Sequence, residues 1–275
     1  METKKEENPV INFIPEKPRY TFDDIILPDY VRSRIMDVAD SVRYGDIVFK
    51  TWGLGKTHKH AKSLGINLYG PSGTGKTMAA HAIADYLGRK LITINYAELE
   101  SKFVGETPKN IKKAFYAATN TDSILFFDEA DAILGHRVTH MASASDVSVN
   151  QTRSVMLMEM NEYEDFIIFA TNFIESFDSA FMRRIPVHVR FDLPDEGQRK
   201  LLWRRYIPDE MPNDINIDAL AHDYAGISGG DIANAVLMSA FKAARQHDSQ
   251  VTEAYVREMI ENAIAGKKAN GAGRK

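Results

Sequence analysis

Five short apolar runs mark the middle of the chain: Ile66 to Tyr69, Leu91 to Asn95, Ile124 to Phe127, Phe166 to Ala170 and Val187 to Phe191. Between them lie longer stretches in which apolar residues recur every three or four positions. Strands buried on both faces read as continuous apolar runs, and one-sided helices read with the longer period. The alternation therefore predicts an α/β domain, a parallel sheet sandwiched by helices. Ahead of the first strand, Val31, Ile35, Val38 and Val42 follow Pro28 at helical spacing and stop at Gly45, which predicts a helix there, with a looser segment around Trp52 to Ser63. Further helices are expected over Met78 to Leu87, from near Pro108, and through Asn150, Gln151 and Arg153, where Val155, Met156, Met158 and Met160 read as methionine-rich packing rather than a binding surface. After Pro194 strand patterns cease, and helical ones follow near Glu196 to Tyr206, Ile217 to Tyr224, Gly230 to Gln246 and Thr252 to Ala265. The expected organisation is a flexible arm over 1–19, a large α/β domain over 20–193, a small all-helical domain over 194–266 and a disordered basic tail over 267–275. The arm reading rests on charge with Pro9, Pro15 and Pro18, the tail reading on its lysines and glycines.

Composition narrows the chemistry. With no cysteine among 275 residues, disulfides, thiol nucleophiles and thiolate metal sites are excluded. A net charge of −4 gives no global attraction to nucleic acid. No apolar run approaches the roughly eighteen residues needed to span a bilayer, and residues 1–7 lack a signal peptide's apolar centre, so a cytoplasmic protein is expected.

The chemistry-bearing segment is Gly70-Pro71-Ser72-Gly73-Thr74-Gly75-Lys76-Thr77, placed between the first strand and a helix. Its glycines let successive backbone N–H groups curl round phosphates, Lys76 supplies charge, and the Thr77 hydroxyl can ligate Mg²⁺. A second Gly55-Lys56-Thr57 is rejected, since the glycine required five positions earlier is Lys50. The third strand ends in Asp128-Glu129-Ala130-Asp131, at the sheet edge where ligands bind. Asp128 is placed to hold Mg²⁺, and Glu129 to orient or deprotonate an attacking water.

From about Tyr20 to Ala265 these motifs make the chain resemble the ring-forming, protein-remodelling branch of the AAA+ ATPases. The resemblance implies a P-loop sheet domain followed by a small helical lid, with ATP and Mg²⁺ as cofactors. Gly70 to Thr77 would be the Walker A loop, with Pro71, Ser72, Gly73, Thr74, Gly75, Lys76, Thr77 and the following Met78 on the nucleotide, and Ile124 to Glu129 the Walker B strand. Asn172 falls at the family's sensor position. Tyr20 to Ile25, with Asp24 and Ile25, would pack by the adenine, and Gly226 to Asp231, with Gly230, would open the lid helix. Asp178 to Arg184 resembles the segment whose arginines enter a neighbouring subunit's site. Many members separate those arginines, whereas Arg183 and Arg184 are adjacent, which leaves open which one acts. Such a pair also complements a helix dipole. Lys102, Phe103 and Val104 resemble the pore loop that grips an extended polypeptide, with His136 to Val147 as a second pore-facing loop. His136 and His140 lack a zinc protease's general-base glutamate and read as solvated.

The function implied is ATP-driven protein remodelling by a homo-oligomeric ring, expected as a hexamer. The chain's compact size, without a recruiting domain, metalloprotease module or membrane anchor, resembles bacterial ATPases that open HORMA-domain signalling proteins. The alternative is a nucleic-acid-associated AAA+ motor or loader. RNA helicases share the letters Asp-Glu-Ala-Asp but need two RecA-like domains, and an ATP-binding scaffold would not need Glu129, Asn172 and the arginine pair together.

Overall fold

A computed structural model describes residues 13–57, 64–95, 99, 106–135, 144–172 and 177–272. Five parallel strands, β1 (Leu64–Tyr69), β2 (Lys90–Asn95), β3 (Ser123–Asp128), β4 (Phe166–Thr171) and β5 (Val187–Arg190), form one sheet in the order β2-β3-β4-β1-β5. Helices α1 (Asp29–Arg43) and α2 (Lys76–Leu87) cover one face, and α3 (Glu106–Thr121) and α5 (Ala144–Glu162) the other. The short helix α4 (Asp131–Leu134) follows β3, and α6 (Ser179–Met182) precedes β5. The apolar runs divide between the two layers with period two. Ile124 and Phe126 of β3 join the core under α1 and α2, while Leu125 and Phe127 join the core under α3 and α5. Burial on both faces is what turns an alternating strand into a continuous apolar one. Phe127 stacks on Phe169 of the neighbouring β4 at 5.3 Å, extending that second layer across the sheet.

Strand order reverses beside β1, because α2 carries the chain from β1 to β2 at the far edge while β4 returns to pair with β1. Crevices outside the carboxyl ends of strands at such a point are where α/β sheets bind ligands. β1, β3 and β4 all end there.

The lid comprises α7 (Glu196–Tyr206), α8 (Ile217–Asp223), α9 (Gly229–Gln246) and α10 (Glu253–Ala272), packed around Trp203, Leu220, Ile232, Val256 and Ile260. Its helices start where side chains supply the missing acceptors: Asp195 with Gln198 and Ser228 with Asp231 form capping boxes, and Asn216 caps α8. Arg199 is buried and joins this layer from within, donating to Ala221 O at 2.9 and 2.7 Å and to Pro194 O at 2.7 Å.

Two expected boundaries are corrected. The arm does not extend to residue 19: Glu16 exchanges backbone hydrogen bonds with Leu91 at 2.8 and 3.0 Å, Thr93 donates to its side chain, and Phe13 packs on the second core layer. Composition hid this because the sheet edge at β2 supplies the partner, not the segment itself. The basic tail likewise does not begin at 267, since α10 runs to Ala272 and Lys267 pairs with Asp231 at the start of α9. The first helix ends at Arg43 rather than Gly45, and residues 47–51 form a turn of π-helix. Of the methionine stripe on α5, Met156 and Met160 are core while Met158 faces solvent. Lys102, Phe103 and Val104 lie outside the described residues, as do 136–143 of the second loop.

Candidate active site

Between the carboxyl edge of the sheet and the lid lies a cleft of about 330 Å³. It brings together Asp24, Ile25, residues 72–78, Asp128, Glu129, Asn172 and Gly230. Pro71 stands in the loop beside them, and its carbonyl accepts from Lys76 Nζ at 2.9 Å and from Thr74 Oγ1 at 2.8 Å. Arg183 and Arg184 are not part of the cleft wall.

The loop's glycines meet specific demands. Gly70 has φ 142°, and a Cβ there would sit 2.0 Å from Phe191 O, at the strand that flanks β1. Gly73, at φ 76°, lies under the lid: its carbonyl accepts from Gly230 N at 3.0 Å, and a Cβ would stand 2.5 Å from Ser228 Oγ. The phosphate loop thereby touches the start of α9 through backbone alone, an approach only glycine allows. Gly75, also left-handed, opens α2, so the first N–H groups of that helix face the cleft.

Lys76 is buried and donates to Gly70 O at 2.6 Å and to Asn172 Oδ1 at 3.1 Å. Burial lowers its pKa, and the charges of Asp128 and Asp131 oppose that shift. Thr77 Oγ1 donates to Asp128 Oδ2 at 2.8 Å, and Glu129 N donates to Asp128 Oδ1 at 2.9 Å. A hydroxyl and a carboxylate in contact beside a phosphate-sized cradle form the all-oxygen donor set that Mg²⁺ takes together with phosphate oxygens. The chemistry of the cleft thus fits a magnesium nucleotide. Glu129 has φ 51°, a left-handed conformation that a non-glycine residue adopts at a cost, and its side chain is exposed to the cleft. Strand β3 ends at that kink, which turns Asp128 and Glu129 to adjacent positions on the cleft wall.

Sequence reasoning missed several members. Asp131 accepts from Asn172 N at 3.1 Å through both carboxylate oxygens, fixing the residue that follows β4. Arg205 on α7 lines the cleft and donates to Asp24 Oδ1 at 2.8 Å and to Asp23 O at 3.0 Å, joining the lid to the segment before α1. Gln198, Leu202 and Tyr206 add the lid's wall at helical spacing on the same α7 face. Their four-residue spacing was visible; the segment they would meet was not. Among the described residues there is no cluster of histidines and carboxylates suited to a resident metal. Nor does any described helix have the length and apolarity to cross a membrane.

Sheet order, glycine loop and acidic strand end together define a P-loop nucleoside-triphosphatase fold and site. Residues 66–193 match the family model described as the ATPase family associated with various cellular activities (AAA). The chain is 35% identical over 210 residues to the ATP-dependent zinc metalloprotease FtsH 1 of Conexibacter woesei, covering 74% of this chain and 32% of that protein. Likewise it is 30% identical over 268 residues to the proteasome-activating nucleotidase of Methanopyrus kandleri, covering 94% of this chain and 60% of that protein. The chain thus spans between a third and three fifths of the length of these relatives.

Proposed function

We propose that the chain is the ATPase module of a homo-oligomeric ring, most simply a hexamer, that couples hydrolysis to the mechanical remodelling of a protein. The observation that carries the chemical part is the convergence of Lys76, Thr77, Asp128, Glu129 and Asn172 in one cleft roofed by the lid. Lys76 and the loop N–H groups bind and orient the β- and γ-phosphates. Thr77 and Asp128 would hold Mg²⁺, which when bound neutralises phosphate charge. Glu129 takes a proton from the water that attacks the γ-phosphorus, and the bond to the bridging oxygen breaks to release ADP and phosphate. Asn172, pinned by Asp131, orients that water and the γ-phosphate.

Remodelling is supported by the kinship with FtsH and proteasome-activating nucleotidase, whose names tie them to proteolysis. A ring is supported by Arg183 and Arg184, which lie outside their own chain's cleft and need a neighbour's site to act on. Phe103, with Lys102 and Val104, supplies the grip on an extended polypeptide. A HORMA-domain protein is the more specific target that the sequence resemblance implies; the proteolysis-linked relatives support the wider class. The test is a pair of variants: Lys76→Ala abolishes ATP binding in calorimetry, whereas Glu129→Gln binds ATP, loses turnover and retains a protein substrate in a pull-down. Equal failure of both to bind would overturn the division of roles.

A further inference from the structure

The interior strand β1, between β4 and β5, carries a polar side chain where the sheet is covered on both faces. Asn67 is 0% exposed, and Thr171 at the end of β4 is 1% exposed. Desolvating an amide is unfavourable unless both its ends are engaged, and here both are. Thr171 Oγ1 donates to Asn67 Oδ1 at 3.2 Å, and the Asn67 amide nitrogen lies 3.5 Å from His188 Nδ1 on β5. Donation by that NH₂ requires Nδ1 without its proton. The three residues form a line across β4, β1 and β5, on the face that Asn67 shares with its register partners Phe169 and His188.

What lies at each end gives the line its meaning. At one end, Thr171 O accepts from Gly70 N at 3.2 Å, and the next residue, Asn172, holds Lys76. At the other end the His188 ring meets Phe177 edge-on at 6.2 Å. Phe177 leads into Asp178, which caps α6 by accepting from Ala180 N, and Arg183 and Arg184 follow α6. An apolar trio of similar volume would fill the same space at no desolvation cost, so burial alone gives no reason for polarity here. Hydrogen bonds add direction: they tie the end of β4 to the middle of β1 and the start of β5.

We propose that Asn67 and His188 are positioning residues for hydrolysis, which hold Thr171 and hence Asn172 in a fixed relation to the turn that bears the arginines. The inference rests on reading Asn172 as the residue that faces the γ-phosphate. Through this line, a shift of Asn172 is felt at Arg183 and Arg184, and a shift of that turn is felt at Asn172.

The experiment compares Asn67→Leu, the double variant Asn67→Leu/His188→Leu, His188→Gln and Asn172→Ala in the full assembled chain, measuring kcat, KM, nucleotide affinity and melting temperature. The expected result is a kcat lowered about ten-fold in Asn67→Leu, since small misplacement of a positioned group costs that much or more. Affinity and melting temperature stay near those of the parent. The double variant loses no more than the worse single, and His188→Gln, whose side-chain oxygen can accept from Asn67, keeps most of the turnover. Should leucine fail to pack, Asn67→Thr is read by the same criteria. An unchanged kcat in the apolar variants, or kcat, affinity and melting temperature falling together, overturns the proposal. If Asn172→Ala itself leaves kcat unchanged, the reading of Asn172 fails; if it lowers kcat while Asn67→Leu does not, only the line across the sheet fails.

Discussion

Gly73 shows at single-residue scale how the phosphate loop is tied to the lid. Its φ of 76° and the Ser228 hydroxyl 2.5 Å from where a Cβ would lie leave no room for a side chain. Gly73→Ala is expected to cost about 1–2 kcal/mol from the left-handed backbone alone. It should also push α9 off the loop, so nucleotide affinity should fall more than melting temperature. Calorimetry with ATP beside a thermal melt checks this, and an unchanged affinity would remove the contact's importance. Histidines set a different sensitivity. His81 on α2 is buried and accepts from Arg19 N at 3.3 Å, and burial holds its pKa below the ordinary 6.5 despite the opposing charge of Glu16. Burial also lowers His188, with the Ile185 backbone opposing and Arg34 reinforcing. A group that protonates more readily unfolded than folded contributes full stability above the unfolded pKa. That contribution is lost as pH falls from about 6.5 towards the folded value, by at most about 1.4 kcal/mol per pH unit for each histidine. The melting temperature should therefore fall between about pH 7 and pH 5.5. In His81→Gln that slope should be shallower; an equal slope would exclude His81 as a cause.

At the scale of elements, Arg199 decides how the lid holds together. Its guanidinium is buried and spans from Pro194 O, at the entry to α7, to Ala221 O near the end of α8. Helix α8 is only seven residues long and has little stability of its own, so its last turn depends on that external donor. Arg199→Met keeps the apolar stem but strands two carbonyls, with an expected loss of about 1–3 kcal/mol. The loss should be local. Hydrogen exchange in α8 and the Pro194 segment should rise while β3 and β4 stay protected, and uniform loss of protection would contradict a lid-only role.

On the scale of the whole molecule, two contacts at the cleft join the lid to the sheet domain. One is the Gly73–Gly230 backbone bond, the other Arg205 on Asp23 and Asp24. The arginines by α6 do not line that cleft, and they differ. Arg184 is held by Asn161 Oδ1 at 2.7 Å and Ala180 O at 2.8 Å, whereas Arg183 is exposed, with Nε 3.3 Å from Ser179 O. We therefore propose Arg183, the more exposed of the two, as the one that reaches a neighbour. An arginine supplied in trans raises hydrolysis by about 10³ to 10⁵. Arg183→Ala should abolish most turnover, and mixing it with Lys76→Ala chains should restore part, because some interfaces then pair an intact loop with an intact arginine. Absence of recovery in rings verified as mixed would argue against a shared site.

The sequence by itself determined the features that are local in the chain. The five strands were legible because burial on both faces leaves a continuous apolar run, and the phosphate loop because glycine spacing is a local backbone requirement. Asp128 and Glu129 stood out because charge ends an apolar run, whereas Asn172 was singled out through the family resemblance. Tertiary structure alone decided the pairings that join distant segments: Asp131 to Asn172, Arg205 to Asp24, Arg199 to Ala221, and Asn67 to both Thr171 and His188. Each joins residues between 22 and 181 positions apart. Glu16 and Lys267 read as parts of an arm and a tail because their partners, β2 and α9, lie elsewhere in the chain. Periodicity shows which face of an element is covered; what covers it depends on the order of strands in the sheet and on where the lid closes, and those are settled by packing.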